Sequence, residues 1–127
     1  MSETQSDNQW QRVREVIEEI RALNNVTELD EMLYRAGVRG SVYCGCCSPL
    51  SRYVYLRTGI PWVTVGEEQT WWWSGVGRDR KLHSMDMMPF SLAVEELLVG
   101  LQQGMYPWLD ERYTVERGTS TPYGAIR

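Results

Sequence analysis

Apolar residues near the start of the chain recur with the spacing of an α-helix. Over residues 10–23 they occupy one face at intervals of three and four, while arginine and glutamate fill the other face. Ser6 and Gln9 have the spacing of a capping box, so this amphipathic helix is predicted to begin near Ser6.

Two further helices are predicted from their end signals. Thr27 is placed to cap a helix that Gly37 ends, and the short connection before it makes the first two helices an antiparallel pair. Ser48 as the N-cap, Pro49 in the first turn and Gly59 after the last turn predict a third helix.

The middle of the chain changes from a helical pattern to a β pattern. Residues 62–65 and 69–73 are short, rich in β-branched and aromatic side chains, and separated by a turn, which predicts a hairpin. Residues 81–85 alternate enough to supply a third strand, and a stable sheet favours one.

A fourth helix is predicted over residues 89–103, with Gly104 placed to end it. Residues 113–115 could then form an edge strand. The helix carries one apolar stripe, which we expect to pack on the sheet through Phe90, Val94, Leu97 and Leu101.

These elements predict an α+β fold, in which about four helices pack with a small two- to three-stranded antiparallel sheet. The 127 residues fit one globular domain over residues 1–117. Residues 118–127 are polar and are expected to form a flexible C-terminal tail.

The net charge and the lack of targeting signals exclude several classes of function. A formal net charge of -4 excludes a general polyanion-binding coat, because neutralising phosphates takes many cations on one face. The first residues lack the basic and apolar parts of a signal peptide, and no apolar run is long enough to cross a membrane. We therefore expect a cytoplasmic protein with no membrane partner.

Three crowded cysteines leave several hypotheses open. Cys44, Cys46 and Cys47 together with His83, the only histidine, have the ligand types of a tetrahedral zinc site. Cys44 and Cys47 also have the C-x-x-C spacing of a redox pair, and a Cys47–His83 nucleophile pair is a further alternative. The simplest interpretation is that one or two of these cysteines are small buried apolar residues.

The region around the third helix contains arginines and no acidic residue. No aspartate or glutamate occurs over residues 32–66. The start of this helix could therefore hold an anion among Arg39, Ser48, Ser51 and Arg52. We expect this spot to be electropositive and partly exposed.

Three consecutive tryptophans are the most unusual feature of the chain. On a strand, Trp71 and Trp73 point to one face and Trp72 to the other, so we expect at least one indole to be exposed. Together with Trp108 they are the candidate partner-binding residues, because interfaces favour tryptophan. Stacking of single-stranded nucleic acid is a weaker alternative, since the net charge opposes it.

A family resemblance rests on four segments: residues 36–40 (AGVRG), 47–53 (CSPLSRY), 63–66 (VTVG) and 104–109 (GMYPWL). Their pattern, G-V-R-G, then C-x-P-L-x-R-Y, a short strand, and G-x-Y-P after the last helix, resembles that of small uncharacterised proteins common in actinobacteria and their phages. The family has no established activity, so the resemblance implies a shared origin and fold and no particular chemistry.

The leading hypothesis is therefore a small accessory protein, of phage or actinobacterial type, that acts non-enzymatically by binding a protein partner. It rests on the surplus of tryptophan and on the lack of a complete catalytic motif in the sequence. No cofactor is expected under it. The alternative is a zinc or thiol-redox protein centred on residues 44–47, and the helix that carries Trp10 could also serve a homodimer.

Overall fold

Helices and a small antiparallel sheet make up the part of the chain that the computed structural model describes, which is residues 2–42, 47–66, 68–74, 77–86 and 92–113. The helices are α1 (Ser2–Arg21), α2 (Val26–Ala36), α3 (Pro49–Thr58) and α4 (Leu92–Gln102), and the strands are β1 (Thr64–Val65), β2 (Gln69–Ser74) and β3 (Lys81–Asp86). The predicted α+β fold is confirmed. The predicted tail, residues 118–127, lies outside the described residues.

Local side-chain chemistry sets the helix ends. As predicted, Ser48 caps α3, and its hydroxyl oxygen accepts a hydrogen bond of 3.1 Å from the Ser51 N–H. The predicted cap of α2 at Thr27 is wrong, because Asn25 takes that position. The Asn25 side-chain oxygen accepts from the Glu28 N–H at 2.9 Å, and an asparagine at this position caps better than a threonine two residues later.

The predicted start of α1 near Ser6 is also wrong, since the helix already runs from Ser2. Residues 2–9 contain neither proline nor glycine, so nothing in them ends a helix. A capping signal stops helix growth only where the preceding residues cannot join the helix. At the other end of the chain, the fourth helix is followed by Gly104, which has a left-handed φ of 76°, as expected.

The helices pack with different partners from those that the sequence predicts. α1 lies mainly against α3 and α2 mainly against α4, while α3 also contacts α2 and β1. The stripe of α4 is buried at Val94, Leu97 and Leu101, but the main partner of that helix is α2 rather than the sheet. Phe90, predicted to share the stripe, lies outside the described residues. Apolar spacing identifies which face is buried, and the choice of covering element depends on long-range packing.

The sheet has the order β1-β2-β3, and its register assigns each side chain to a face. Trp72 lies opposite His83, and Trp73 lies opposite Leu82. One face, with Val65, Thr70, Trp72 and Met85, is buried in the single core that the helices share. The alternate side chains consequently point away from the core.

A tight crossing joins the start of α3 to the segment that follows α4. Gly40 forms a parallel bridge with Asp110, the Gly40 N–H donates to the Leu109 carbonyl at 2.9 Å, and the Glu111 N–H donates to the Gly40 carbonyl at 3.0 Å. A Cβ atom on Gly40 would lie only 2.5 Å from the Cys47 carbonyl oxygen. Glycine is therefore required at this crossing.

Of the predicted edge strand at residues 113–115, the last two residues lie outside the described ranges.

Two buried threonines give a matched test of the core. The Thr70 hydroxyl has no hydrogen-bond partner in the described part of the chain. The Thr58 hydroxyl donates to the Val54 carbonyl at 2.7 Å and accepts from the Ile60 N–H at 3.1 Å. Both side chains are buried, so they differ in whether the hydroxyl is paired.

We expect Thr70→Val to raise the free energy of unfolding by about 1 kcal/mol, because it removes a buried hydroxyl without a partner. Thr58→Val should lower that free energy by about 1–3 kcal/mol, since it leaves the Ile60 N–H unpaired. Urea unfolding monitored by circular dichroism measures both. Equal destabilisation by the two substitutions would contradict this assignment of paired and unpaired hydroxyls.

Candidate functional site

The outer face of the β2–β3 hairpin exposes large apolar side chains. Trp71 is 40% exposed, Trp73 is 43% exposed and Leu82 is 56% exposed. The register places all three on the side of the sheet that points away from the core. We call these three residues the tryptophan face.

The middle tryptophan of the triplet has the opposite role. Trp72 is only 1% exposed, and its ring stacks on His83 with a centroid distance of 5.6 Å and an interplanar angle of 21°. Trp72 therefore belongs to the core, although it was among the candidate partner-binding residues. The expectation that at least one indole of the triplet is exposed is confirmed.

Cations lie beside the tryptophan face at the turn between β2 and β3. The Arg80 guanidinium carbon is 4.7 Å from the centroid of the Trp73 ring, a cation–π distance. Arg78 is also exposed in this turn, together with one acid, Asp79, while Lys81 begins β3 on the same side of the sheet as His83. This end of the face therefore carries an excess of positive charge.

Trp108, the last candidate partner-binding residue, is held within the fold. Its indole N–H donates to the Asp30 carboxylate at 2.7 Å, and its ring meets Tyr106 edge-on with centroids 5.9 Å apart. The residue is half-buried and packs against the core. Asp30 belongs to α2, so this contact fixes the segment after α4 to that helix. In sequence, Trp108 is distant from the tryptophan triplet.

The residues proposed for anion binding do come together at the start of α3. Ser48 caps the helix, and Arg52 Nη1 donates to the Arg39 carbonyl at 3.2 Å. The same Arg52 nitrogen lies 2.8 Å from the Glu111 carboxylate, and Arg39 donates to the Tyr113 carbonyl. Both arginines thus hold the segment that follows α4, and Glu111 places one negative charge in a region whose own sequence has none. Anion binding there stays a prediction.

The proposed zinc and redox sites depend on residues that the structure does not fully cover. Cys44 and Cys46 lie outside the described residues. Cys47 is partly buried before α3, and its carbonyl accepts from the Ser41 N–H at 2.8 Å. In the described ranges, no three His, Cys, Asp or Glu side chains are grouped so that they could hold a metal ion.

His83 provides a test of the buried side of the sheet. Burial lowers the pKa of His83 below its ordinary value, and the charge of Lys81 lowers the same pKa further. The unfolded chain therefore binds this proton at a higher pH than the folded chain does. The contribution of His83 to the free energy of unfolding is complete above the pKa of the unfolded chain, about 6.5. It is lost as the pH falls toward the lower pKa of His83 in the folded protein.

His83→Phe should keep a ring against Trp72 and remove the titrating group. We expect the melting temperature of the variant to fall less than that of the unmodified protein between about pH 7.5 and about pH 5.5. Differential scanning calorimetry across this range measures the difference. Parallel curves for the two proteins would contradict the assignment of the lowered pKa to His83.

A cleft beside α3 has no counterpart among the sites predicted from the sequence. Its volume is about 560 Å³, and it is lined by Cys47, Ser51, Arg52, Tyr55, Pro61 and Trp62. Trp62 has a φ of 64°, which makes it the one non-glycine residue with a positive φ in the described ranges. The only sequence signal was an aromatic residue after proline, which does not indicate a left-handed conformation.

No described helix is long and apolar enough to span a membrane. Comparison with known proteins finds no family model, no curated protein and no solved structure that matches this chain. The resemblance to actinobacterial and phage proteins accordingly stays a prediction, and a functional proposal for this chain rests on the geometry of its own surface.

Proposed function

We propose that this protein acts by binding a protein partner through the tryptophan face. The observation that carries the proposal is the exposure of two indoles and one leucine on a single side of a sheet whose other side is buried. Tryptophan is the residue most enriched among the side chains that dominate binding energy at protein interfaces. An apolar patch of this kind normally marks a binding surface.

The charges around the tryptophan face indicate the chemistry of the partner. Arg78 and Arg80 lie at the end of the hairpin next to this face against a single acid, Asp79. Arg80 also lies over the Trp73 ring, so a partner that covers this ring must meet the guanidinium. The surface therefore suits a protein segment that carries apolar side chains next to aspartate or glutamate.

A protein fits this surface better than a nucleic acid does. Exposed aromatic rings beside arginine can also stack bases, but such binding needs a basic path along the phosphate backbone. The chain has a formal net charge of -4, and Arg78 and Arg80 lie together at one end of the hairpin rather than along a path. Long-range electrostatics therefore opposes a polyanion while still favouring a local acidic contact.

Selection from a random peptide library displayed on phage tests the proposal without knowledge of the natural partner. We expect the immobilised protein to enrich peptides in which aromatic or aliphatic residues accompany acidic ones. The enriched peptides are then synthesised, and their affinity is measured by calorimetry. Trp73→Ala should weaken binding by about 2 kcal/mol or more, as expected for a tryptophan at the centre of an interface.

Tyr34→Ala is the matched control, because Tyr34 is 41% exposed, close to the value for Trp73, but lies on α2, which packs on other helices. The proposal predicts that this variant binds the selected peptides as the unmodified protein does. Equal losses for both variants would overturn it. Binding of a short oligothymidylate in place of any peptide would also overturn it and would support the nucleic-acid alternative.

A further inference from the structure

We infer that the cleft beside α3 is a second binding site, lined by none of the residues of the tryptophan face, and that it takes a small aromatic carboxylate. Its volume of about 560 Å³ is that of a small-molecule pocket. The aromatic ring of the ligand would contact the apolar side chains of the cleft, and its carboxylate would contact the guanidinium of Arg52. This inference does not depend on the proposed protein partner.

The apolar wall consists of Tyr55, Pro61 and Trp62. Tyr55 is 54% exposed and Trp62 is 61% exposed, although each contributes a large ring to the cleft. Aromatic side chains around a concave surface are the typical lining of small-molecule pockets. A planar aromatic ring can stack on such walls with little loss of side-chain entropy.

The backbone at Trp62 explains why its indole lies in this cleft. In an extended conformation, residue 62 would continue the alternation of β1 and point to the same side as Thr64, which pairs with Trp71. The observed φ of 64° breaks this alternation. The indole instead lines the cleft with residues of α3, in a conformation that bulky L-residues rarely adopt.

Arg52 supplies the charge that a carboxylate requires. Its Nη1 atom contacts the Arg39 carbonyl and the Glu111 carboxylate. None of the described residues accepts a hydrogen bond from its Nε or Nη2 atom, which form the other edge of the guanidinium. That edge has the fork geometry that binds a carboxylate through two parallel hydrogen bonds.

The surroundings favour an anion over a neutral ligand. Residues 32–66, which include α3 and both sides of the cleft, contain no acidic residue, and Glu111 meets Arg52 from outside this range. The side chain of Glu111 is 41% exposed, so water screens its charge. A ligand carboxylate on the Nε and Nη2 edge of Arg52 would therefore meet only a screened negative charge from Glu111 on the other side of the guanidinium.

Titration with naphthylacetate and its neutral analogue naphthylacetamide, followed by ¹H–¹⁵N NMR, tests the inference. We expect saturable shifts at the Trp62 indole and at the amides of α3 with the carboxylate, and binding of the amide weaker by about tenfold, the effect of losing one charge-assisted pair. The amides of β2 and β3 should not shift.

Comparing two variants of the Arg52–Glu111 ion pair shows whether a loss of binding comes from the missing ligand contact or from the broken ion pair. Arg52→Gln and Glu111→Gln both break the pair between the two side chains, but only the first removes the guanidinium. We expect Arg52→Gln to weaken naphthylacetate binding by about tenfold and Glu111→Gln to bind at least as tightly as the unmodified protein. Equal affinity for the acid and the amide, equal losses in the two variants, or shifts confined to the tryptophan face would each overturn the inference.

Discussion

Gly40→Ala is expected to lower the free energy of unfolding by about 3 kcal/mol or more, among the largest effects of a single added methyl group. The new Cβ would lie 2.5 Å from the Cys47 carbonyl oxygen and 2.6 Å from the Pro49 nitrogen. Both are backbone atoms at the start of α3, so no side chain can rotate to relieve the contact. The hydrogen bonds that join residue 40 to the segment after α4 would be displaced at the same time.

Gly37→Ala is the control for this substitution. Gly37 has a φ of 72°, but a Cβ there meets no atom within 4 Å. Alanine at this position should therefore cost only the backbone penalty of the left-handed conformation, about 1–2 kcal/mol. Chemical denaturation of both variants measures the two losses, and a loss for Gly40→Ala no greater than that for Gly37→Ala would contradict the described crossing.

The second large effect is expected at Trp72. Truncation to alanine should lower the free energy of unfolding by about 3–5 kcal/mol, because it leaves a cavity beneath the sheet. Trp73→Ala should cost clearly less, about 1–2 kcal/mol, since Trp73 is already 43% exposed and loses only part of its apolar contact and the cation–π contact with Arg80. Two adjacent residues of the same type thus differ through the face on which they lie.

Thermal unfolding of the two variants, monitored by circular dichroism, measures this difference. A Trp72→Leu variant provides the companion measurement if Trp72→Ala does not fold, because leucine fills part of the cavity and should recover part of the loss. Similar melting temperatures for Trp72→Ala and Trp73→Ala would show that the alternation of β2 has been assigned to the wrong faces.

Much of the fold follows from short-range signals. The ends of α3 were predicted from Ser48, Pro49 and Gly59 because caps and left-handed glycines act on the nearest turn of backbone. Strands β2 and β3 were predicted because alternation and β-branched residues are local properties as well, whereas β1 forms only over the last two of the predicted residues 62–65. The start of α1 was not predicted, since a capping signal competes with the helix-forming ability of the residues before it.

The packing and the binding surfaces depend on contacts between distant segments. The apolar stripe of α4 was identified, but nothing in that stripe distinguishes α2 from the sheet as its partner. The alternation of the tryptophan triplet separates Trp72 from its neighbours without stating which side the helices cover. The cleft beside α3 requires the left-handed Trp62, and no local signal predicts that conformation for a tryptophan.

The double variant Trp71→Ala/Trp73→Ala removes both exposed indoles of the tryptophan face and leaves Trp72 in the core. We expect this variant to keep a cooperative unfolding transition, at a lower temperature than the unmodified protein, and to lose binding of the peptides selected on that protein. Calorimetry on one sample measures both the melting transition and the binding. Loss of the folded state, or retention of full affinity by a folded variant, would contradict the claim that the tryptophan face is a binding surface.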